Sequence, residues 1–267
     1  MKGRVLIVAG SDSGGGAGIQ ADIKAVTCLR GFAATAVTAL TAQNTLGVDG
    51  VHPVPPAFIQ QQMRVVLDDL GADCVKTGML HDTEVIQAVA AVLDAYPSLP
   101  LIVDPVMVAQ SGARLLHPEA VAAVREVLLP RATLITPNVP EAEALTDAGI
   151  TAPEDLMPAA RRLRSAGAGA VLVKGGHLPG DPVHDVLAAP EGETAFADPR
   201  LPGQNTHGTG CTLASAIAAG VAQGLDLAAA VARARAYLRG AIAGAPGLGA
   251  GNGPVDHAWA VPDFNGA

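Results

Sequence analysis

Val5-Leu6-Ile7-Val8-Ala9 is an unbroken apolar run. Gly10-Ser11-Asp12-Ser13-Gly14-Gly15-Gly16-Ala17-Gly18 follows it, and Ile19, Ile23, Val26 and Leu29 then recur at helical spacing. An apolar run without polar alternation suits a strand buried on both faces. Apolar residues three and four apart predict a helix over 17–29. Strand, glycine-rich turn and helix in that order open an α/β unit.

The same alternation continues outward. Strands are predicted at 33–40, 73–76, 101–103, 133–135 and 170–173. Helices are predicted at 57–70, 82–94, 118–128, 140–146, 153–165, 210–223 and 227–243, with a hairpin pairing 183–188 and 194–197. Asp82 has the chemistry of an N-cap, and Pro118 suits a first helical turn. The pattern predicts a mostly parallel sheet covered on both faces. No linker or composition break divides the chain, so a single domain over 1–267 is expected. In such sheets ligands bind beyond the carboxyl ends of the strands.

Composition narrows the function. The formal net charge of −8 repels phosphate backbones, so nucleic acid is not an expected partner. Hydrophobic residues reach 49% with only 3% aromatics, which predicts an aliphatic core. Cys28, Cys74 and Cys211 are too widely spaced for a CxxC site and suit a reducing compartment. The first apolar run is too short for a signal peptide, and no segment has membrane-span length, so a cytoplasmic location is expected. The histidines show neither HxH nor HExxH spacing, so zinc is not expected.

Five segments carry chemistry. In the first loop, glycines let backbone N–H groups approach a ligand beside a helix N-terminus. Gly16-x-Gly18-x-x-Ala21 fits a loose dinucleotide pattern, but it starts well past the strand and no acidic residue ends the second strand, so nicotinamide is set aside. Asn205-Thr206-His207-Gly208-Thr209-Gly210-Cys211-Thr212 opens a helix whose peptide N–H groups at 208–211 would make an anion hole. Cys211 would sit in the first turn, where the helix field favours thiolate. Asn138-x-x-Glu141 follows a strand and is either a hydrated Mg²⁺ site or an ordinary helix start. Lys174 ends an apolar strand ahead of Gly175-Gly176, and a nucleotide phosphate would pair its charge. Asp104 also ends a strand, and with Glu141 it would suit Mg²⁺ better than a soft metal.

Taken in order, Gly10–Lys24, Thr38-Ala-Leu-Thr-Ala-Gln-Asn44, Lys76-Thr-Gly-Met-Leu80, Asp104-Pro-Val-Met107, Thr136-Pro-Asn-Val-Pro-Glu141, Val173-Lys-Gly-Gly-His177 and His207-Gly-Thr-Gly-Cys-Thr212 resemble the hydroxymethylpyrimidine/phosphomethylpyrimidine kinases of the ribokinase-like superfamily. The resemblance spans nearly the whole chain. It implies a three-layer α/β/α fold, ATP and Mg²⁺ as cofactors, and two successive phosphorylations of 4-amino-5-hydroxymethyl-2-methylpyrimidine. It also implies that Gln43 and Asp22 hold the ring and that Gly10, Ala17, Met79 and Val106 line its pocket. Lys174, Asn138, Thr209 and Gly210 would bind the nucleotide. Glu141, Asn138 and Asp104 would orient Mg²⁺, and Gly208, Gly210, Cys211 and Lys174 would serve catalysis. Members are often homodimers. Most of the superfamily has Asp where Cys211 stands. Gly14 replaces the family's usual Ser, and Ala25-Val26 its usual Thr-Phe. A pyridoxal or pyridoxine kinase is the nearest rival reading, and a silent nucleotide sensor a more distant one.

Overall fold

The computed structural model describes residues 2–203 and 205–263. The opening strand β1 runs Arg4–Asp12 and helix α1 runs Gly18–Cys28. Leu6 and Val8 enter one apolar cluster, while Val5, Ile7 and Ala9 enter another. Successive strand side chains point to opposite faces, so the unbroken run feeds two cores at once.

The remaining elements are β2 (Phe32–Gln43), β3 (Val48–Pro53), α2 (Pro56–Asp69), β4 (Cys74–Thr77), α3 (Thr83–Leu93), β5 (Leu101–Val103), α4 (Ala120–Ala123), β6 (Leu134–Ile135), α5 (Val139–Thr146), α6 (Leu156–Ser165), β7 (Val171–Lys174), β8 (Val183–Ala189), β9 (Gly192–Asp198), α7 (Thr209–Ala222) and α8 (Leu227–Ala243). The strands form one sheet in the order β3-β2-β1-β4-β5-β6-β7-β8-β9. The run from β2 to β7 is parallel, and β3, β8 and β9 are antiparallel at the two edges. Helices α2 to α6 pack on the face that carries Leu6 and Val8, and α1, α7 and α8 on the other. This is a three-layer α/β/α architecture. The order reverses at β1, which pairs with β2 on one side and β4 on the other. A crevice at that switch point is the natural ligand site.

Local departures from the predicted elements have local causes. Strand β3 was not predicted: its Asp49-Gly50 is turn chemistry, and it is held by backbone pairing with β2 rather than by a buried face. The helix predicted over 118–128 holds α-geometry only for α4, then widens over Val124–Leu128 and tightens into a 3₁₀ turn at Leu129–Arg131. Pro130 has no N–H to continue the ladder. Ala25 and Val26 are fully buried on the inward face of α1, so their departure from the family pattern is a packing change. Beyond α8 the chain returns to the start of α7. The His207 N–H donates to Gly253 O at 3.1 Å, and the Asn252 N–H donates to Thr45 O at 3.1 Å.

Candidate active site

A cavity of about 940 Å³ lies beyond the carboxyl ends of β1, β2, β4, β5, β6 and β7. Gly10, Gln43, Met79, Asp104, Asn138 and Lys174 come from those ends in turn, and all face it. One end is a slot formed by Gly10, Ala17, Gln43, Met79 and Val106. A side chain at Gly10 would begin 3.0 Å from the Met79 sulfur, so glycine there keeps the slot open. Ser13 and Gln43 lock their segments together: the Ser13 hydroxyl donates to Gln43 O at 2.8 Å, and the Gln43 N–H donates to Ser13 Oγ at 2.9 Å. The Thr41 hydroxyl lies 3.2 Å from Gln43 Oε1. The Gln43 amide nitrogen has no acceptor among the described residues. The result is an apolar slot with one oriented amide at its edge.

The start of α7 lines the same cavity. Its N-cap is Gly208, at φ +78°, with no side-chain oxygen to cap the first turn. The Thr209 N–H donates to Thr206 O at 3.3 Å, while the peptide N–H groups of Gly208, Gly210 and Cys211 have no acceptor among the described residues and remain available to an anion. Gly208 cannot carry a side chain: its φ is left-handed, and a Cβ would collide with Gly16 O. Gly208→Ala is therefore expected to lower turnover at least as much as losing one charge-stabilising donor, roughly 10²-fold or more. Steady-state kinetics beside a thermal melt would check this, and full activity would remove the helix start from the chemistry.

Across from this turn, the Lys174 Nζ donates to Asp104 Oδ1 at 3.3 Å. A Cβ added at Gly210 would stand 3.4 Å from the Lys174 nitrogen and 3.7 Å from Asp104 Oδ2. The ammonium, the carboxylate and the helix start thus face one another. Burial works against the Lys174 charge, but Asp104 and Glu141 outweigh it and raise the lysine above its ordinary value. Asp104 is buried, and its Oδ2 has no hydrogen-bond partner among the described residues.

Asn138 and Glu141 form a reciprocal capping box at α5. The Asn138 N–H donates to Glu141 Oε2 at 2.8 Å, and the Glu141 N–H donates to Asn138 Oδ1 at 2.9 Å. The helix-start reading is therefore realised, and both residues still line the cavity. Burial pushes the Glu141 carboxyl up to about 7 against the pull of Lys174.

Two expectations need correction. Asp22 does not reach the cavity. It is fully buried beneath it, where the Lys76 Nζ donates to its two oxygens at 2.8 and 2.9 Å and the Ser215 hydroxyl donates at 2.6 Å. With its acceptors occupied it cannot hold a substrate ring. Cys211 is not a favoured thiolate either. Burial pushes its thiol up to about 12, beyond the downward pull of Lys76, because its exposed face is small and Asp22 and Asp104 are near. The helix field does not overcome that desolvation. Every other residue expected in the site, including Thr209, lines the cavity.

Sequence reading also missed two buried pairs. Asp12 accepts from the N–H groups of Gly14, Gly16 and Ala17 at 2.8, 3.0 and 2.8 Å. His207 Nε2 lies 2.9 Å from Asp12 Oδ2. Burial pushes Asp12 up, but His207 and the loop N–H groups outweigh it and leave it below the ordinary range. Asp12 therefore ties the glycine loop to the anion hole. Its position inside a glycine-rich turn was the available signal, since Asp side chains accept from nearby backbone N–H groups in turns. The Asp22–Lys76 pair was signalled by a lysine inside an apolar strand.

An uncapped helix start, a carboxylate–lysine pair and an apolar slot in one crevice of this fold are the features of a small-molecule kinase of the ribokinase-like class. Comparison with known proteins agrees. The chain belongs to the phosphomethylpyrimidine kinase family, whose model matches residues 12–256. It is 54% identical to the thiamine biosynthesis bifunctional protein ThiED of Geobacter sulfurreducens, over 98% of this chain but only 54% of that longer protein. It is 47% identical to the hydroxymethylpyrimidine/phosphomethylpyrimidine kinase of Bacillus subtilis, over 95% of this chain and 94% of that one. Its fold matches an ADP complex of Bacillus subtilis pyridoxal kinase with a TM-score of 0.89 at 33% identity, covering 97% of this chain and 98% of that one.

Proposed function

We propose that this chain, acting as one kinase unit, transfers the γ-phosphoryl group of ATP to the hydroxymethyl oxygen of 4-amino-5-hydroxymethyl-2-methylpyrimidine, and then to the monophosphate so formed. The observation that carries this reading is the line from the Gln43 slot, past the start of α7, to the Lys174–Asp104 pair. In each step an acceptor oxygen bonds to the γ-phosphorus as the bond to the bridging oxygen of ADP breaks, and in the first step the hydroxymethyl proton passes to solvent. Such transfers need positioning and charge stabilisation more than covalent chemistry. Gln43 would orient the aminopyrimidine, the slot would hold its ring, and the peptide N–H groups of Gly208, Gly210 and Cys211, with Lys174, would stabilise the moving charge.

Mg²⁺ fits the residues present. Asp104 offers a buried oxygen without a partner, and Glu141 and Asn138 complete an oxygen-only set on the same wall. Among the described residues no cluster of three or more His, Cys, Asp or Glu forms a metal cage. A Mg²⁺ shared with nucleotide phosphates needs only one or two carboxylates. Bound there, it would neutralise phosphate charge.

Cys211 would admit the second acceptor by staying neutral. That acceptor is already an oxyanion near pH 7, with a second pKa of about 6. Cys211→Asp is expected to lower the second phosphorylation roughly tenfold more than the first, through like-charge repulsion. Equal effects on both steps would remove this role.

We further infer a cytoplasmic homodimer. Leu40 and Phe58 expose apolar side chains near the β3 edge, and no helix among the described residues is long and apolar enough to cross a membrane. Light scattering would test the dimer. The activity is tested by ADP release with Mg-ATP and equal concentrations of the hydroxymethylpyrimidine, its monophosphate and pyridoxal. Turnover of both pyrimidines ahead of pyridoxal is expected. Turnover of pyridoxal alone would overturn the acceptor, leaving the nucleotide end standing.

A further inference from the structure

The two acceptors differ by one phosphate, which carries close to two negative charges at neutral pH. A site that turns over both must pair that charge in the second step. A cation suited to the task must face the cavity, stand at its acceptor end, and be free of protein acceptors.

The cavity-lining cations sort cleanly by these criteria. Lys174 is held by Asp104. Arg235 is paired with Asp185 and Asp198, and Arg239 lies 3.7 Å from Asp198. The Arg200 guanidinium donates to the carbonyls of Gly176, Leu178 and Gly180. These four belong to the end of the cavity built by β7, β8, β9 and α8. Arg114 is different. It is exposed, it lines the cavity, and it makes no ion pair or side-chain hydrogen bond among the described residues.

Its position is that of the acceptor end. Arg114 forms an antiparallel bridge with Val108 and directly precedes Leu115. Leu115 is buried in a small apolar cluster with Met79 and Ala39, against which Val106 packs. Met79 and Val106 are walls of the slot. The backbone on either side of Arg114 is also fixed: the Ala109 N–H donates to Ala113 O at 2.8 Å, and the Leu115 N–H donates to Met107 O at 2.9 Å. A rigid root with a free guanidinium is a good phosphate receptor, because the planar fork can pair with two phosphate oxygens at once.

We propose that Arg114 recognises the phosphate of the second acceptor and so determines specificity for the monophosphate step. The proposal rests on the two-step reading above. Arg114 would leave the neutral hydroxymethyl acceptor without a charged contact and would close on the monophosphate.

The test is kcat/KM for each pyrimidine with wild type, Arg114→Gln and Arg114→Lys. Arg114→Gln is expected to lower kcat/KM for the monophosphate on the order of 10- to 100-fold, mostly through KM. That loss should exceed any loss on the hydroxymethylpyrimidine at least tenfold, and Arg114→Lys should recover part of it. An equal loss on both acceptors would mean that Arg114 serves the ATP phosphates common to both steps, and would overturn the proposal. So would no loss on either. A wild type inactive on both pyrimidines would instead sink the two-step reading, and this proposal with it.

Discussion

Lys174→Ala is expected to lower turnover about 10²–10³-fold, the scale for removing one preorganised charge-stabilising donor. The lysine ends β7 and points into the cavity opposite the first turn of α7, with Asp104 as its partner in the protein. Burial opposes its charge, but Asp104 and Glu141 outweigh it and raise the lysine above its ordinary value. It therefore meets an incoming phosphate as a cation near neutral pH. Its loss would leave Asp104 buried without its cation, so some fall in stability should accompany the fall in rate. A coupled assay run below the melting temperature of the variant separates the two. Unchanged turnover would place Lys174 outside the reaction.

Lys76→Ala is expected to destabilise the fold by about 3–5 kcal/mol, because it strands the Asp22 carboxylate in the interior. Both side chains are fully buried. Burial pushes the Asp22 carboxyl up, and alone it would push the Lys76 ammonium down; the carboxylate reverses the latter and raises Lys76. Three hydrogen bonds onto the Asp22 oxygens support the ion-paired form. Breaking one partner of such a pair costs far more than replacing both with apolar groups. The double variant Lys76→Met with Asp22→Leu should accordingly be milder than Lys76→Ala. A melting temperature lowered by on the order of 10 °C is expected for the single variant. An unshifted melting curve would show that the pair does not hold α1 and α7 to the sheet.

Much of this was legible in the residues. Apolar runs such as Val5–Ala9 located the strands because both sheet faces are covered, and their alternation with helical spacing set the layer order. Residues expected in the site were found where strands end, since the fold delivers strand termini to one crevice. What the sequence hid depends on depth and backbone geometry. Asp22 carries the residue type of a ligand but sits one layer too low, and only its contact with Lys76 reveals this. Cys211 lies at a helix start, yet desolvation decides its protonation. Strand β3 is held by backbone pairing, which leaves no side-chain pattern. The Asp12–His207 contact joins residues from opposite ends of the chain, and no local spacing encodes it.

The central claim is a sequential double phosphorylation at one site. It is tested most directly by following phosphorus NMR during incubation of the purified protein with Mg-ATP and the hydroxymethylpyrimidine. The account predicts a monophosphate resonance that rises first and then declines as two coupled diphosphate resonances of the pyrimidine appear alongside ADP. Accumulation of monophosphate alone would contradict the second step, and ADP formation without any pyrimidine phosphate would contradict the acceptor itself.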